Sequence, residues 1–301
     1  MPQSSAQSGK SDFTKNQSGK KKRAVNKKKK KPVPLNPETG LPYSKGTLKM
    51  RLLKRLKCTQ QFEKLAWAAG AKLVAGVDEV GRGSLFGPVV AAAVILEPDY
   101  RIKGLRDSKL LDQATREKLS ERIKQHAIAY AVAAVDVARI DQLNIYWASL
   151  LAMKNAIAQL APAPDHLLLD AVRVDLDCPQ TKIIHGDALS ISIAAASIIA
   201  KVHRDEMIRR WSPVYPQYDL ASNKGYRSPK HLAALKEFGP TPLHRLSFAP
   251  VWLCNAVPQE VFGFMGPDAV AAIDEIQEND QDEVQDDDAI IIPPSEPLTD
   301  L

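Results

Sequence analysis

Cysteine, aromatic residues and long apolar runs are all scarce in this chain of 301 residues. Its three cysteines, Cys58, Cys178 and Cys254, are odd in number and form no Cys-x-x-Cys pair, which argues against a disulfide framework and a structural zinc site. The longest apolar runs, such as residues 89–96, are too short to cross a membrane, and the N-terminus lacks the apolar segment of a secretory signal. We therefore expect a soluble, cytoplasmic protein that does not associate with membranes.

Charge is distributed unevenly along the sequence. Lysine and arginine crowd residues 20–31, whereas nine of the fifteen residues from Asp274 to Asp288 are acidic and are followed by prolines. Runs of like charge without an apolar pattern are typical of disordered segments. We therefore predict a disordered Lys-rich extension over residues 1–44 and an acidic, Pro-containing disordered tail over residues 258–301.

The residues between these tails mix strand and helix patterns, which predicts an α/β or α+β domain built around one sheet. Leucines and basic residues at helical spacing over residues 47–69 predict an amphipathic lead-in helix within residues 45–70, and the domain itself is predicted over residues 71–257. Strands are predicted at 73–77, 88–96, 128–137, 166–169 and 182–185, and helices at 112–125, 139–160, 190–211 and 228–238.

Acidic residues follow three of the predicted strands. Asp78 and Glu79 end an apolar run, and Asp170 and Asp187 each follow another. Buried carboxylates that lie close together are costly unless a cation neutralises them. Because the ends of strands converge in an α/β sheet, the four acids predict a site for Mg²⁺ or Mn²⁺, which prefer oxygen ligands. Two such ions can support the hydrolysis of a phosphodiester.

Two features of this pattern leave a second interpretation open. A single acid at the end of a strand is more often a turn or cap residue. Adjacent residues of a strand also face opposite sides, so Asp78 and Glu79 share a site only where the strand ends or bends. Gly81 and Gly83 would allow that bend, and Arg82 between them places a phosphate-binding charge beside the acids.

Longer motifs around these acids resemble bacterial ribonuclease HII from about residue 60 to residue 252. They are Val-Ala-Gly-Val-Asp-Glu-Val-Gly-Arg-Gly at 74–83, Gly-Pro-Val-Val-Ala-Ala-Ala-Val-Ile-Leu at 87–96, Asp-Ser-Lys at 107–109, Gly-Asp at 186–187, the run Ile193–Val202, Arg204-Asp205, and Lys-Gly-Tyr at 224–226 with His231. The resemblance implies a ribonuclease H-like fold, with a mixed central sheet flanked by helices and with C-terminal helices.

The same resemblance implies a function. The acids Asp78, Glu79, Asp170 and Asp187 match those that bind two catalytic divalent ions, Mn²⁺ or Mg²⁺. Enzymes of this family hydrolyse RNA in RNA–DNA hybrids. They also cut on the 5′ side of ribonucleotides embedded in duplex DNA, leaving 3′-hydroxyl and 5′-phosphate ends. We therefore expect a monomeric endonuclease that removes ribonucleotides from DNA during repair and replication.

The resemblance also assigns substrate contacts. The Gly-Arg-Gly loop at residues 81–83 matches the loop that reads the ribose 2′-hydroxyl, the group that distinguishes RNA from DNA at one position. Ser108 and Lys109 match a phosphate-contacting segment, and Tyr226 matches the tyrosine that packs on the sugar beyond the ribonucleotide. The sequence departs from the family pattern at Ser84, Phe86, Ala171-Val172, Asn223 and Arg227-Ser228. These departures bear on how the substrate is positioned, not on the reaction.

Some polar residues have more than one interpretation. Lys201 and Arg204 lie one helical turn apart. In one interpretation they hold a phosphate or orient Asp187, and in the other they form a solvated basic face of the helix. We expect Asp205 to pair with a nearby basic residue, and Ser197 to serve close helix packing rather than catalysis.

Two alternatives to this function stay open. Ribonuclease HIII is the nearest enzyme, and Gly-Arg-Gly rather than Gly-Lys-Gly argues against it, as does the lack of a patterned domain before residue 45. A non-catalytic nucleic-acid-binding protein with an inherited fold is the other, and the four intact acids argue against it. The basic extension would add non-specific affinity for nucleic acid by releasing counterions. The sequence names no other partner for either tail.

Overall fold

The computed structural model describes residues 47, 48 and 55–255, and the chain divides into two compact units, Met1–Leu48 and Lys49–Leu301. Thr47 and Leu48 of the first unit are helical. The predictions for residues 1–44 and 258–301 lie outside the described residues, as does most of the lead-in before residue 55. All further description concerns the second unit.

Five strands form one mixed sheet. They are β1 (Val74–Val80), β2 (Val89–Leu96), β3 (Ala127–Val135), β4 (His166–Asp170) and β5 (Gln180–Ile183), in the order β3-β2-β1-β4-β5. β2 pairs antiparallel with β1 and with β3, whereas β4 pairs parallel with β1 and with β5. The prediction of an α/β domain with a mixed central sheet is confirmed.

Helices cover both faces of this sheet. They are α1 (Gln61–Ala68), α2 (Gln113–His126), α3 (Val137–Leu143), α4 (Ile145–Ala158), α5 (Gly186–Leu189), α6 (Ile191–Trp211), α7 (Leu220–Asn223), α8 (Pro229–Phe238) and α9 (Ala249–Asn255), with short 3₁₀ turns at Ser108–Leu110 and Pro216–Tyr218. Alternate residues of β2 pack against α4 on one face and against α2 and α6 on the other. All eight residues of β2 are therefore buried, as its continuous apolar sequence predicts.

Side chains at the helix starts explain why those boundaries could be predicted within a residue. Asp112 accepts a hydrogen bond from the Thr115 amide at 2.9 Å and caps α2, and Ser190 accepts one from Ile193 at 3.2 Å and caps α6. Such caps satisfy amides that have no partner inside the helix. Among the described helices, none is both long and apolar enough to cross a bilayer.

Three predicted elements were wrong in extent. The helix predicted at 139–160 is two helices, because Asn144 adopts a left-handed φ of 68° and its side-chain oxygen caps α4. The lead-in is not one helix over 47–69, since residues 56–60 are non-helical and Thr59 forms a bridge with Ser190 before α1 begins. The strand predicted at 182–185 lies earlier, at Gln180–Ile183.

Candidate active site

Two of the predicted acids lie inside β1, not after it. Asp78 pairs in register with Ala92 and Glu79 with Ala91, and the pairing continues to Val80. The bend expected at this point therefore comes after both acids. Asp78 is buried, and its Oδ1 accepts a hydrogen bond from the Glu79 amide at 2.8 Å. Burial raises the pKa of Asp78, and the negative charges of Glu79, Asp170 and Asp187 raise it further.

Asp170 is the last residue of β4, next to β1 in the sheet. Its Oδ1 accepts a hydrogen bond from the Gly186 amide at 2.7 Å, which joins the end of β4 to the start of α5. Burial, together with the charge of Asp187, raises the pKa of Asp170 to about 7, although the Gly186 hydrogen bond acts in the opposite direction. The carboxylate is therefore held close to the other acids at a cost in free energy.

Asp187 lies on a short helix and not at a strand end. β5 ends at Ile183, the chain turns at His185 with a φ of 58°, and Asp187 follows in the single turn of α5. The side chain is buried, and Lys109 Nζ lies 3.3 Å from its Oδ2. Although burial opposes it, the charges of Asp187 and Asp78 raise the pKa of Lys109. A lysine from the β2–α2 loop therefore reaches into the acidic cluster.

The structure thus brings the four predicted acids into one electrostatic cluster. Burial also raises the pKa of Glu79 against the opposing charge of Arg82, whose Nη1 lies 3.3 Å from Oε1. The other oxygen, Glu79 Oε2, is buried without a hydrogen-bond partner. Within residues 55–255, no three acidic, histidine or cysteine side chains already stand in an arrangement that would hold one ion.

The chemistry of the cluster nevertheless fits hard divalent cations. Its candidate ligands are all carboxylate oxygens, one of them buried and unpaired, and the neighbouring acids raise the pKa of Asp78 and of Asp170. A divalent cation would relieve that repulsion and satisfy the unpaired oxygen.

The Gly-Arg-Gly loop directly follows β1. Gly81 has a φ of +93°, and a Cβ at this position would lie 2.2 Å from Arg204 Nε, so only glycine fits without a shift. Arg82 is partly exposed, and its carbonyl oxygen accepts a hydrogen bond from Arg245 Nη1 at 2.8 Å. The loop is therefore held from beneath by two arginines, while the Arg82 side chain points to the carboxylates.

Arg204 is fully buried, so the sequence hypotheses of a phosphate ligand, an Asp187 partner or a solvated residue are wrong. Its guanidinium donates to the carbonyls of Pro88 at 3.1 Å and Lys224 at 3.0 Å, and to Ser84 Oγ at 2.7 Å. It therefore joins the loop after β1 to the segment that carries Tyr226. Ser84, a departure from the family pattern, supplies one of these hydrogen bonds.

Tyr226 lies against this arginine. The Arg204 guanidinium carbon is 5.3 Å from the centre of the ring and Lys201 Nζ is 5.5 Å from it. A backbone bridge also links Tyr226 to Ser84. The loop at 81–83 and the tyrosine are therefore parts of one assembly, as a shared substrate would require. Lys201 itself forms an ion pair with Asp205 at 2.8 Å, which confirms the predicted pairing of Asp205.

Ser108 and Lys109 face different environments. Ser108 is buried with its hydroxyl 2.9 Å from that of Ser197, which joins α6 to the β2–α2 loop. Ser197 does more than the predicted packing, because its side chain also hydrogen-bonds to Asp78 and opposes the rise in the pKa of that acid. The side chain of Lys109 is 68% exposed and extends to Asp187. Of this pair, only Lys109 presents a charged group at the surface of the cluster.

Sequence reasoning missed three supporting residues, Arg245, Glu63 and His244, and it noted His231 only as part of the family motif, without its partner His244. Arg245 donates to the carbonyls of Gly87 and Arg82, and Glu63 accepts from Ser190 and Ser192 at the start of α6. The partners of Glu63 and Arg245 lie far away in the sequence, and no local pattern marks either residue or the pairing of His231 with His244.

A mixed five-stranded sheet with buried or partly buried carboxylates on β1, at the end of β4 and after β5 defines a ribonuclease H-like α/β fold. Residues 75–251 match the sequence model of the family described as Ribonuclease HII. The chain is 70% identical over 237 residues to ribonuclease HII of Koribacter versatilis (strain Ellin345), which covers 79% of this chain and 92% of that protein. It is 53% identical over 197 residues to ribonuclease HII of Solibacter usitatus (strain Ellin6076), covering 65% and 86%.

A solved structure shows the same fold. Ribonuclease H2 from Pyrococcus horikoshii OT3 superposes with a TM-score of 0.55 and 26% identity, over 61% of this chain and 97% of that one. The chain belongs to the ribonuclease HII family and is a ribonuclease H endonuclease, an enzyme class that depends on divalent metal ions. This membership favours ribonuclease HII over ribonuclease HIII and over a non-catalytic binding protein.

Proposed function

We propose that this chain hydrolyses RNA in RNA–DNA hybrids and cuts on the 5′ side of ribonucleotides embedded in duplex DNA. The observation that carries the proposal is the cluster of four acids, in which the neighbouring carboxylates raise the pKa of Asp78 and of Asp170, beside a Gly-Arg-Gly loop and an arginine-backed tyrosine. Action in ribonucleotide removal during DNA repair and replication, in the cytoplasm and as a monomer, is part of the same proposal.

Asp78, Glu79, Asp170 and Asp187 would hold two divalent ions, Mg²⁺ or Mn²⁺. When bound, such ions activate water and support the charge on the leaving oxygen. In the reaction, a water oxygen forms a bond to phosphorus as the bond from phosphorus to the 3′-oxygen breaks, and that oxygen takes up a proton. The products are a 3′-hydroxyl and a 5′-phosphate.

The chain's own cations would position the phosphate. Lys109 and Arg82 already lie against Asp187 and Glu79, and an incoming phosphate would share their charge with those acids. The backbone of residues 81–83 would contact the ribose 2′-hydroxyl, held in place by Arg204 and Arg245. Ser108, whose hydroxyl lies against that of Ser197, would hold the phosphate-contacting segment that it shares with Lys109, and Tyr226 would pack on the neighbouring sugar.

The test is cleavage of a DNA duplex that holds one ribonucleotide, with Mg²⁺ or Mn²⁺ and with EDTA. We expect cleavage only with metal, on the 5′ side of the ribonucleotide. Asp187→Asn keeps the size of the side chain but removes its charge, and it should lower kcat by at least ~10²-fold while duplex binding is retained. Asp177→Asn, at an exposed acid outside the cluster, is the matched control. Activity of Asp187→Asn within a few-fold of the wild type would remove Asp187 from the site.

A further inference from the structure

A basic pocket lies beside the acidic cluster and is not used by the proposed reaction. Its volume is ≈ 590 Å³, and it is bounded by the segment that leads into α1, the loop after β2 and Ile191 at the start of α6. Three of its lining residues, Lys64, Arg101 and Lys103, carry positive charge, and none is acidic. All three are exposed and form no ion pair with another residue of the described part of the chain.

The pocket is fixed in position relative to Asp187. The backbone of Thr59 pairs with Ser190, with its amide 2.9 Å from the Leu189 carbonyl, so the pocket wall is bonded to the junction of α5 and α6. The Gln60 side chain donates to the carbonyl of Pro98 at 3.3 Å and ties the same wall to the loop after β2. Asp187 lies on α5 itself. The pocket therefore adjoins the cluster through direct backbone hydrogen bonds.

One continuous loop links the two sites. It carries Arg101 and Lys103 at the pocket, then the exposed Arg106, and then Lys109, whose ammonium contacts Asp187. These cations are spread along a single segment that ends at the proposed cleavage site. A chain of phosphates that enters the cluster could continue along the same segment, because its exposed charged side chains are all positive and its one acid, Asp107, is buried.

The remaining wall of the pocket also suits an anion. Gln61 lines it and opens α1, an eight-residue helix whose preceding residue, Gln60, provides no side-chain cap. The amides at a helix start, together with the helix dipole, favour negative charge. Three cations thus surround this space and no residue that lines it is acidic, while the first amide of α1, that of Gln61, already donates to Thr59 Oγ1 at 3.3 Å.

We propose that the basic pocket of Lys64, Arg101 and Lys103 binds a backbone phosphate of the duplex that flanks the cleaved bond. This inference rests on the proposed function, since it assigns a further binding site to the same substrate. The pocket positions the duplex and takes no part in the chemical step. It therefore contributes to KM and to the salt dependence of binding, and not to kcat.

The test compares the double variant Lys64→Gln/Lys103→Gln with the wild type in the full chain, on a duplex with one ribonucleotide and long flanks. We expect KM to rise several-fold at unchanged kcat. The slope of log KM against log salt should become shallower by ~0.9 for each phosphate that the variant no longer neutralises. The matched control is Lys72→Gln/Lys154→Gln, which removes two lysines from other surfaces. Lys72 is exposed and precedes β1, and Lys154 forms only a 3.7 Å surface ion pair with Asp175.

A second measurement locates the phosphate. Single uncharged methylphosphonates are placed along each flank, and KM is measured for both proteins. At the position that the pocket binds, the methylphosphonate should raise the KM of the wild type. It should not raise the KM of the double variant further, because the substitution in the protein and the change in the substrate remove the same interaction. Equal KM and equal salt slopes for variant and wild type, with cleavage intact, would overturn this inference and leave the proposed function standing. A fall in kcat alone would also overturn it, whereas a wild type that does not cleave at all would instead contradict the proposed function.

Discussion

Asp170 is the residue at which function and stability oppose each other most directly. Its carboxylate lies among three other acids, and burial with the charge of Asp187 raises its pKa to about 7. An aspartate in the unfolded chain has a pKa of about 3.9. Between pH 4 and pH 7 the unfolded chain therefore releases this proton while the folded protein retains it, so the stability of the folded state falls as the pH rises through this range.

We predict that Asp170→Asn stabilises the metal-free protein while it abolishes cleavage. The amide oxygen can still accept the hydrogen bond from the Gly186 amide, but the repulsion is gone. We expect a gain of ~1 kcal/mol in the free energy of unfolding at pH 8, the size usual for relieving a destabilised active site. Urea denaturation in EDTA at pH 8 and pH 5 measures it, and the gain should be smaller at pH 5. Asp177→Asn is the control, and a loss of stability at pH 8 would contradict the prediction.

At the scale of elements, the start of α6 holds the cluster together. Glu63 of α1 is buried, and its Oε1 accepts hydrogen bonds from Ser190 Oγ at 2.6 Å and the Ser192 amide at 3.0 Å. From the other side, a Cβ on Gly76 of β1 would lie 2.1 Å from the Ser192 carbonyl carbon, so β1 and α6 touch just before Asp78. Helix α1 thus positions the helix start that follows Asp187.

We predict that Glu63→Ala costs ~2–3 kcal/mol of stability, because it leaves two buried donors without an acceptor. It should also lower kcat by several-fold, since the turn carrying Asp187 loses its support, with a smaller effect on KM. Glu63→Gln retains the acceptor oxygen, so its stability and its kcat should be close to those of the wild type. Unfolding midpoints and steady-state kinetics measure these effects, with the exposed Glu237→Ala as the control. Equal behaviour of the Ala and Gln variants would show that the acceptor oxygen is not what matters.

A histidine pair supports the Tyr226 segment. The Thr241 amide donates to His244 Nδ1 at 2.9 Å, so Nδ1 carries no proton. In the neutral ring Nε2–H then donates to His231 Nε2 at 3.0 Å, and His231 Nδ1–H donates to the Tyr226 carbonyl at 2.9 Å. Burial lowers the pKa of both histidines. For His244, burial together with the neighbouring His231 lowers the pKa to about 3. The two bonds that His244 Nδ1 and His231 Nε2 accept require both rings to be neutral.

We predict that this pair makes stability fall as the pH is lowered. An unfolded histidine has a pKa of about 6.5, so below that pH the unfolded chain binds protons that the folded one does not. The contribution of His244 is complete above pH 6.5 and is lost towards pH 3 at about 1.4 kcal/mol per pH unit. Between pH 7 and pH 5, His244→Gln should therefore lose about 2 kcal/mol less than the wild type in urea titrations. His126→Gln, at an exposed ring stacked on Tyr100, is the control, and parallel curves for His244→Gln and wild type would refute the assignment.

These elements also show what the sequence could and could not predict. β2 and the starts of α2 and α6 were predictable because an apolar run and a capping side chain are local signals. The break at Asn144 was not, since the apolar periodicity continues through it and only its left-handed φ reveals two helices. The predicted β5 lies too late because Ile184 extends the apolar run, yet this residue is 46% exposed.

The same distinction holds for the site. The four acids could be predicted because each follows an apolar run in the sequence. The fact that Asp187 lies on a helical turn could not, since it depends on the left-handed conformation of His185. The buried role of Arg204 was also out of reach, because its hydrogen-bond partners come from the loop after β1 and from Lys224. Local patterns find residues, whereas long-range interactions decide what those residues do.

At the scale of the whole molecule, charge is segregated along the chain. Residues 20–31 are mostly lysine and arginine, and Asp274 to Asp288 form an acidic run, while the full sequence carries a formal net charge of +6. Both runs lie outside the described residues. A polycation on an enzyme that acts on nucleic acid adds interactions with phosphates, and a polyanion competes with nucleic acid for the same basic groups. The basic pocket of Lys64, Arg101 and Lys103 is one place where that competition would occur.

We therefore predict opposite effects from removing the two ends of the chain. Deleting residues 1–44 should leave kcat intact and flatten the salt dependence of duplex binding, by ~0.9 in log affinity per log salt for each phosphate that the extension neutralises. Deleting residues 258–301 should tighten binding at low salt, because a competitor of the duplex is gone, and should matter little at high salt, where the charges are screened. Salt titrations of affinity for an all-DNA duplex, with the full chain and both deletions, measure these effects. Three superimposable curves would show that neither end interacts with the nucleic acid or with the basic surface that binds it.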